Sequence, residues 1–298
     1  MRKSDFEYVV DLLKQQTGWE LSNDKFFIID RKVYKFVREN NYASTEKLVE
    51  ELKTGNKTLI EKVVESLTMS DTSFFRDSDV FRNFEFSLIP HLRESNRGVK
   101  KLRIWSLGCS TGQETYSIAI LLNRFFPKEN DWEVEIIGTD LSSASIAKAQ
   151  KGIYTNFEVQ MGMNARTLLD NFRPVEDGWQ INPGVMGLVK FRKYNALDEI
   201  TFSEKFDVIF CRNLLRFFDA GHQKQIVNRI YSNQIREGFL YVGADESVEV
   251  LKEHYEPVKG INCLYQSKGK ITPKFIPKRS EEADDVMPSF TRPGLVMK

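Results

Sequence analysis

Four short segments hold residue types that could do chemistry together. The first is Ser106-Leu107-Gly108-Cys109-Ser110-Thr111-Gly112-Gln113-Glu114. It follows a strand-like run and opens a helix-like one. Gly108 and Gly112, four apart, allow a tight turn and a close backbone approach to a ligand. The helix start would offer free N–H groups to that ligand. The segment is neither GxGxxG nor a P-loop, so a nucleoside is favoured over a triphosphate; a ligand-free strand–helix turn is the alternative. The second segment, Gly138-Thr139-Asp140, ends the next strand-like run. Asp140 could accept hydrogen bonds from both hydroxyls of a ribose, or could cap the following helix, a task open equally to Ser142 and Ser143.

The third segment is Phe206-Asp207-Val208-Ile209-Phe210-Cys211-Arg212-Asn213. Its strand should end at the same sheet edge and project Arg212 and Asn213 into the crevice there. An Arg buried at that edge without an anionic partner would be costly. The fourth segment, Met69 to Arg76, places hydroxyls, Phe74, Phe75 and a guanidinium in a linker that either folds over a ligand or packs. Enzymes that modify the amino groups of adenine or cytosine tend to carry [DN]PPY where this chain has CRNL, which counts against nucleic-acid substrates.

The elements that must position these segments follow from periodicity. Runs at 102–107, 134–139, 206–211 and 239–243 read as strands, and helical patterns over 113–126, 142–150 and about 220–235 alternate with them. That alternation predicts βαβ units and a parallel sheet. Tyr255–Val258 and Asn262–Gln266 flank Lys259-Gly260-Ile261 as a hairpin would. A parallel sheet ending in an antiparallel pair is, by fold analogy, the Rossmann-like architecture of S-adenosylmethionine-dependent methyltransferases. Residues 1–69 show helical periodicity instead (Phe6, Val9, Val10, Leu13; Leu59, Val63, Leu67), with Thr17-Gly18 as a stop and Ser44 as a start. The expected organisation is a small all-α domain over 1–69, a methyltransferase domain over 70–268 and a flexible tail over 269–298, where four of the nine prolines lie. Arg31, Lys32, Lys35 and Arg38 crowd one stretch of the helical zone, as a basic face or an ordinary solvated helix face.

Composition sets outer bounds. The 298 residues carry 43 basic and 42 acidic side chains, a net charge of +1, which does not suggest a nucleic-acid binder. Hydrophobic residues at 41%, with 22 Phe, supply a sizeable core and exclude wholesale disorder. Cys109, Cys211 and Cys263 are too dispersed for a disulfide framework or a cysteine zinc site, and no metal is expected. The charged N-terminus and the lack of a run of roughly 18 apolar residues point to a cytoplasmic protein with no membrane insertion.

Taken together, the segments resemble the CheR-type chemotaxis receptor methyltransferases, the protein-glutamate O-methyltransferases. The matching pieces are T-x-F-F-R at Thr72–Arg76, W-S-x-G-C-S-T-G-x-E at Trp105–Glu114, Y-S-I-A at Tyr116–Ala119 and G-T-D-L-S at Gly138–Ser142. They continue with A-x-x-G-x-Y at Ala149–Tyr154, F-D-x-I-F-C-R-N at Phe206–Asn213 and G-x-x-E-S at Gly243–Ser247. The resemblance implies S-adenosylmethionine as cofactor and the cytoplasmic helices of methyl-accepting chemoreceptors as partners. It implies cofactor contacts from Thr72, Arg76, Glu114, Asp140, Asn195 with Ala196, and Arg212 with Asn213, joined by the loop glycines Gly108 and Gly112. Arg76, and a Tyr soon after the CRN strand, would sit near the transferred methyl. Three positions depart from the family pattern: Ser70, counted with the cofactor contacts, takes the place of an Asn, Ala196 that of a Leu, and Phe217 that of the active-site Tyr. The last raises an alternative function, a catalytically weak cofactor-binding sensor or adaptor on the same fold. A methyltransferase for some other acceptor and an NAD-dependent dehydrogenase complete the expectations; the lack of GxGxxG and the terminal hairpin oppose the dehydrogenase.

Overall fold

The computed structural model describes residues 1–20, 26–68, 71–127, 131–246 and 249–269. Four helices come first: α1 (Lys3–Thr17), α2 (Phe26–Glu39), α3 (Thr45–Leu52) and α4 (Lys57–Leu67). Their ends follow local chemistry. Gly18, at φ 73°, closes α1 in the left-handed conformation that L side chains avoid. Ser44 accepts the Lys47 N–H at the start of α3, and Asn56 accepts the Leu59 N–H at the start of α4. The apolar faces meet in their own core around Val9, Leu13, Val33, Leu48 and Val63.

A continuous helical stretch follows, α5 (Ser78–Asn83), a π turn (Phe84–Leu88) and α6 (Ile89–Ser95). Then come β1 (Lys101–Leu107), α7 (Gln113–Phe125), β2 (Glu133–Asp140), α8 (Ser143–Lys151), β3 (Ile153–Tyr154), α9 (Asn156–Gln160) and α10 (Ala165–Asn171). The chain continues through β4 (Phe172–Val175), β5 (Gly178–Ile181), α11 (Pro183–Met186), β6 (Val189–Lys193), β7 (Phe206–Cys211), α12 (Ala220–Ser232), β8 (Gln234–Val242), β9 (Tyr255–Pro257) and β10 (Leu264–Ser267). The main sheet has seven strands in the order β6-β2-β1-β7-β8-β10-β9. The first five are mutually parallel, and β10 runs antiparallel to both neighbours. This is the Rossmann-like sheet with a terminal antiparallel pair.

Both faces of the sheet are buried, and side chains alternate between them. Ile104, Val208, Phe210, Phe239 and Tyr241 face one core, while Trp105, Ile209, Cys211, Leu240 and Val242 face the other. Trp19, just beyond α1, packs into the second core, so the helical region is anchored to the sheet.

The structure departs from sequence expectation in several places. Strand β6, at the edge, was not foreseen: its alternation of half-buried and exposed residues gives a weak pattern. Between β2 and β6 the chain forms a separate small antiparallel sheet, β3-β5-β4, that begins at Ile153. Helix α12 stops at Ser232 rather than near 235. Asn233 ends it, its side-chain amide donating to the Arg229 and Ile200 carbonyls, and Gln234 already belongs to β8. The proposed tail, beyond Gly269, lies outside the described residues, as do Ser70 and Ser247.

Candidate functional site

Strand β1 lies between β2 and β7, so the chain leaves its carboxyl end in one direction and the next parallel neighbour enters from the other. Open α/β sheets bind ligands in the crevice at such a switch point. A cavity of 460 Å³ opens there. Thr72, Arg76, Gly108, Glu114, Asp140, Asn195, Ala196, Arg212, Asn213 and Phe217 all line it. Gly112 does not. It sits at φ 94°, and a Cβ there would lie 2.8 Å from the Ala149 Cβ and 3.0 Å from the Tyr154 hydroxyl. Its demand for glycine comes from packing α7 onto the structure behind the loop. Ser70 was expected at the site and lies outside the described residues.

The glycine loop is held by the neighbouring strand. Gly108 N–H and Cys109 N–H both donate to the Thr139 carbonyl, at 2.8 and 2.9 Å. Asp140 then takes the Ser110 N–H on one carboxylate oxygen (2.8 Å) and the Ser142 N–H on the other (2.9 Å). Helix α8 itself is capped by Ser142, which accepts the Ser145 N–H. Asp140 therefore organises the loop and keeps unused lone pairs toward the cavity. Burial pushes its carboxyl above the usual range, opposed by the Ser142 and Ser110 N–H groups. Ser110, at φ 50°, has a buried hydroxyl with no partner.

Arg212 had been expected to reach into the crevice as a ligand contact. Its guanidinium lines the cavity, and it is also the hub of a buried charge cluster. It donates to Glu114 at 3.0 Å, to Asp77 at 2.5 Å and to the Arg76 carbonyl at 3.0 Å. This supplies the anionic partners that a buried guanidinium needs. Glu114 also accepts from the Ser106 hydroxyl at 2.9 Å. Burial raises the Glu114 carboxyl, against the pull of the Arg212 guanidinium and the Ser106 hydroxyl. The hub draws the 71–77 segment across the sheet edge. Phe75 and Asp77 there adopt left-handed φ values of 49° and 58°, a strain of about 1–3 kcal/mol per residue that the surrounding contacts must hold. Phe74 and Phe75 are buried, and Phe75 N–H donates to the Ser117 hydroxyl. Thr72 and Arg76 of the same segment face the cavity. Both readings of this linker, packing and cover, are thus present in alternate residues. The Arg76 guanidinium rests on Asp71, donating to its carbonyl at 2.7 Å and lying 3.4 Å from its carboxylate.

The loop after β7 carries Asn213 in a left-handed conformation (φ 60°) and a short 3₁₀ turn, Leu215–Phe217. Buried Glu246 fixes it, accepting the N–H groups of Asn213 (2.9 Å), Gly243 (2.6 Å) and Arg216 (3.3 Å). Glu246 was visible only as part of a motif with no role attached. The helical region's share of the cavity has no signal in the sequence, because it depends on how α1 ends. Gly18 turns the chain, Trp19 pairs with Phe218 in an isolated antiparallel bridge, and Glu20 N–H donates to the Phe217 carbonyl at 2.7 Å. The Trp19 ring stacks on Phe217 at 4.6 Å and 18°. Trp19, Glu20, Ile28 and Thr68 consequently line the cavity. Asn195 joins the same seam, its amide donating to the Gln16 carbonyl at 3.2 Å. None of His91, His222 and His254 lines the cavity; His222 sits in the first turn of α12, against the capping Asp219.

Comparisons with known proteins meet this geometry. The family model for the CheR methyltransferase S-adenosylmethionine-binding domain matches residues 70–263. The chain is 32% identical over 271 residues to the chemotaxis protein methyltransferase Cher2 of Pseudomonas putida, a match covering 89% of this chain and 98% of that protein. The figures are the same for the chemotaxis protein methyltransferase 1 of Pseudomonas aeruginosa. The chemotaxis protein methyltransferase 1 of Vibrio cholerae is 30% identical over 262 residues, 86% of this chain and 94% of that protein.

Proposed function

The chain belongs to the CheR methyltransferase family and is an S-adenosylmethionine-dependent methyltransferase, and from that premise we propose that it methylates glutamate carboxylates on the cytoplasmic helices of methyl-accepting chemoreceptors. The cavity fits the cofactor. Its volume lies within the range of small-molecule sites. The unpartnered Ser110 hydroxyl offers a buried polar contact, and the carboxylates of Asp140 and Glu114 line the same cavity. Asp140 would take the ribose hydroxyls with its free lone pairs. Thr72, Asn195, Ala196 and Asn213 would close around the remainder.

When bound, S-adenosylmethionine supplies a methyl already activated on a sulfonium. An acceptor carboxylate oxygen would form the O–CH₃ bond as the C–S bond broke with its electrons left on sulfur, giving a neutral ester and a neutral thioether. A glutamate of ordinary pKa, about 4.3, is ionised at neutral pH and needs no base, in keeping with a cavity that no histidine lines. The chain's residues have to align, orient and exclude water; alignment of this kind contributes on the order of 7–11 kcal/mol.

One surface observation supports the receptor as acceptor. Helix α2 exposes Phe27, Arg31, Tyr34, Lys35 and Arg38, spaced to share one face. Ile28 of the same helix lies at the cavity. A basic and aromatic stripe beside the mouth suits an acidic amphipathic helix carrying the target glutamates. The sensor or adaptor reading prompted by Phe217 is set aside, since the relatives are named as methyltransferases. Incubation with isotopically labelled cofactor and chemoreceptor-containing membranes should give base-labile methyl ester on receptor glutamate. Cofactor binding with no ester on the receptor would refute the assignment.

A further inference from the structure

Three arginines line the cavity, Arg76, Arg212 and Arg216, and their partners differ. Arg212 is committed to Glu114 and Asp77. Arg76 is committed to Asp71. The Arg216 guanidinium has no carboxylate partner among the described residues. Glu20, a carboxylate of the same cavity wall, is taken by Lys14 at 2.8 Å. Arg216 is exposed, and its Cζ lies 5.3 Å from the centroid of the Phe217 ring. Phe217 in turn stacks on buried Trp19. Two rings and a guanidinium therefore form one stack at the cavity wall, anchored from behind by the hold of Glu246 on the Arg216 N–H.

We propose that Arg216 is the residue that receives and orients the acceptor carboxylate, with Phe217 and Trp19 as the platform that holds its guanidinium in place. The proposal deepens the proposed function and rests on its carboxylate acceptor. A guanidinium lying on an aromatic ring keeps its N–H edges free for a planar carboxylate. The platform restricts the long side chain beforehand, so less freedom is lost on docking. Holding one carboxylate oxygen leaves a lone pair on the other for attack. This also gives Phe217 a task that needs no hydroxyl: it carries a cation on its face.

The test uses a purified cytoplasmic fragment of a methyl-accepting chemoreceptor as acceptor, with cofactor affinity measured separately by calorimetry. Arg216→Ala should raise the acceptor KM about 10- to 100-fold, the range for losing a charged hydrogen bond, with cofactor Kd within about twofold of the wild type. Arg216→Lys should restore part of the loss, and Phe217→Leu should raise the acceptor KM with the cation still present. An unchanged acceptor KM in Arg216→Ala, or an equal loss of cofactor affinity, overturns the proposal. A second arm needs no receptor. Glutarate, a small dicarboxylate, is titrated into the S-adenosylhomocysteine-loaded protein while tryptophan fluorescence is followed. A saturable response in the wild type that disappears in Arg216→Ala supports the role. No response in the wild type, or one that survives in Arg216→Ala, overturns it. Failure of the receptor alone, with the glutarate response intact, counts against the receptor assignment and leaves Arg216 as a carboxylate site.

Discussion

Replacing Glu114 with Gln should be costly far beyond the loss of one hydrogen bond. The amide keeps the size of the side chain and removes its charge. Arg212, 5% exposed, would be left with Asp77 as its carboxylate partner, and Asp77 is half-exposed where Glu114 is enclosed. Removing one member of a buried ion pair costs about 3–5 kcal/mol, because the remaining charge is left underpaired. Asp77 persists, so the lower end applies, ~3 kcal/mol. That corresponds to a fall in melting temperature of roughly 6–12 °C. Since the same guanidinium holds the Arg76 carbonyl and Asp77, the loosened 71–77 segment should weaken cofactor binding as well. Glu114→Gln and Asp77→Asn share a partner, so their costs should couple by at least about 0.5 kcal/mol in a double-mutant cycle. Calorimetric unfolding of the four proteins and cofactor titration into each would measure this. A melting temperature within about 2 °C of wild type, or additive costs, would refute the hub.

Burial raises the Asp140 carboxyl in the folded state, so the folded chain binds that proton more tightly than the unfolded chain does. The contribution of this group to stability is therefore greatest in acid and declines as pH rises through the raised pKa. Asp140→Asn lacks that decline: its melting temperature relative to wild type should improve between about pH 4 and about pH 7, even as cofactor affinity drops. A difference that stays flat across that interval contradicts the environment assigned to Asp140. Gly162 sits at φ 99°, and a Cβ there would lie 1.9 Å from the Phe74 carbonyl oxygen. Gly162→Ala should lower stability by about 2–3 kcal/mol, detectable by urea unfolding; an unchanged midpoint would mean the 71–77 segment does not bear on that turn.

Much of the site could be read from sequence because its elements end sharply. The β7 run, Phe206–Cys211, is buried at every residue and stops at Arg212, so its boundary and its neighbours in the cavity were both accessible. Asp140 and the glycine loop were legible for the same reason. The Trp19–Phe217 stack was not, because it joins residues almost 200 apart through a turn made by Gly18, and periodicity carries no information on such a pairing. Gly112 was assigned to the ligand side because sequence cannot tell a glycine that admits a ligand from one that admits a helix. Strand β6 was hidden by its edge position. Arg212 lines the cavity, but its tie to Asp77 depends on the fold of a segment more than 130 residues earlier in the chain.

The loop at Gly108, the carboxylate of Asp140 and the pair Arg212 and Asn213 should together enclose one cofactor. A crystal structure of the complex with S-adenosylhomocysteine tests this directly. It should place the ribose hydroxyls within hydrogen-bond distance of Asp140 and the thioether sulfur in the cavity beside Phe217. Ligand density on another surface, or in the cavity with its ribose turned away from Asp140, would contradict it.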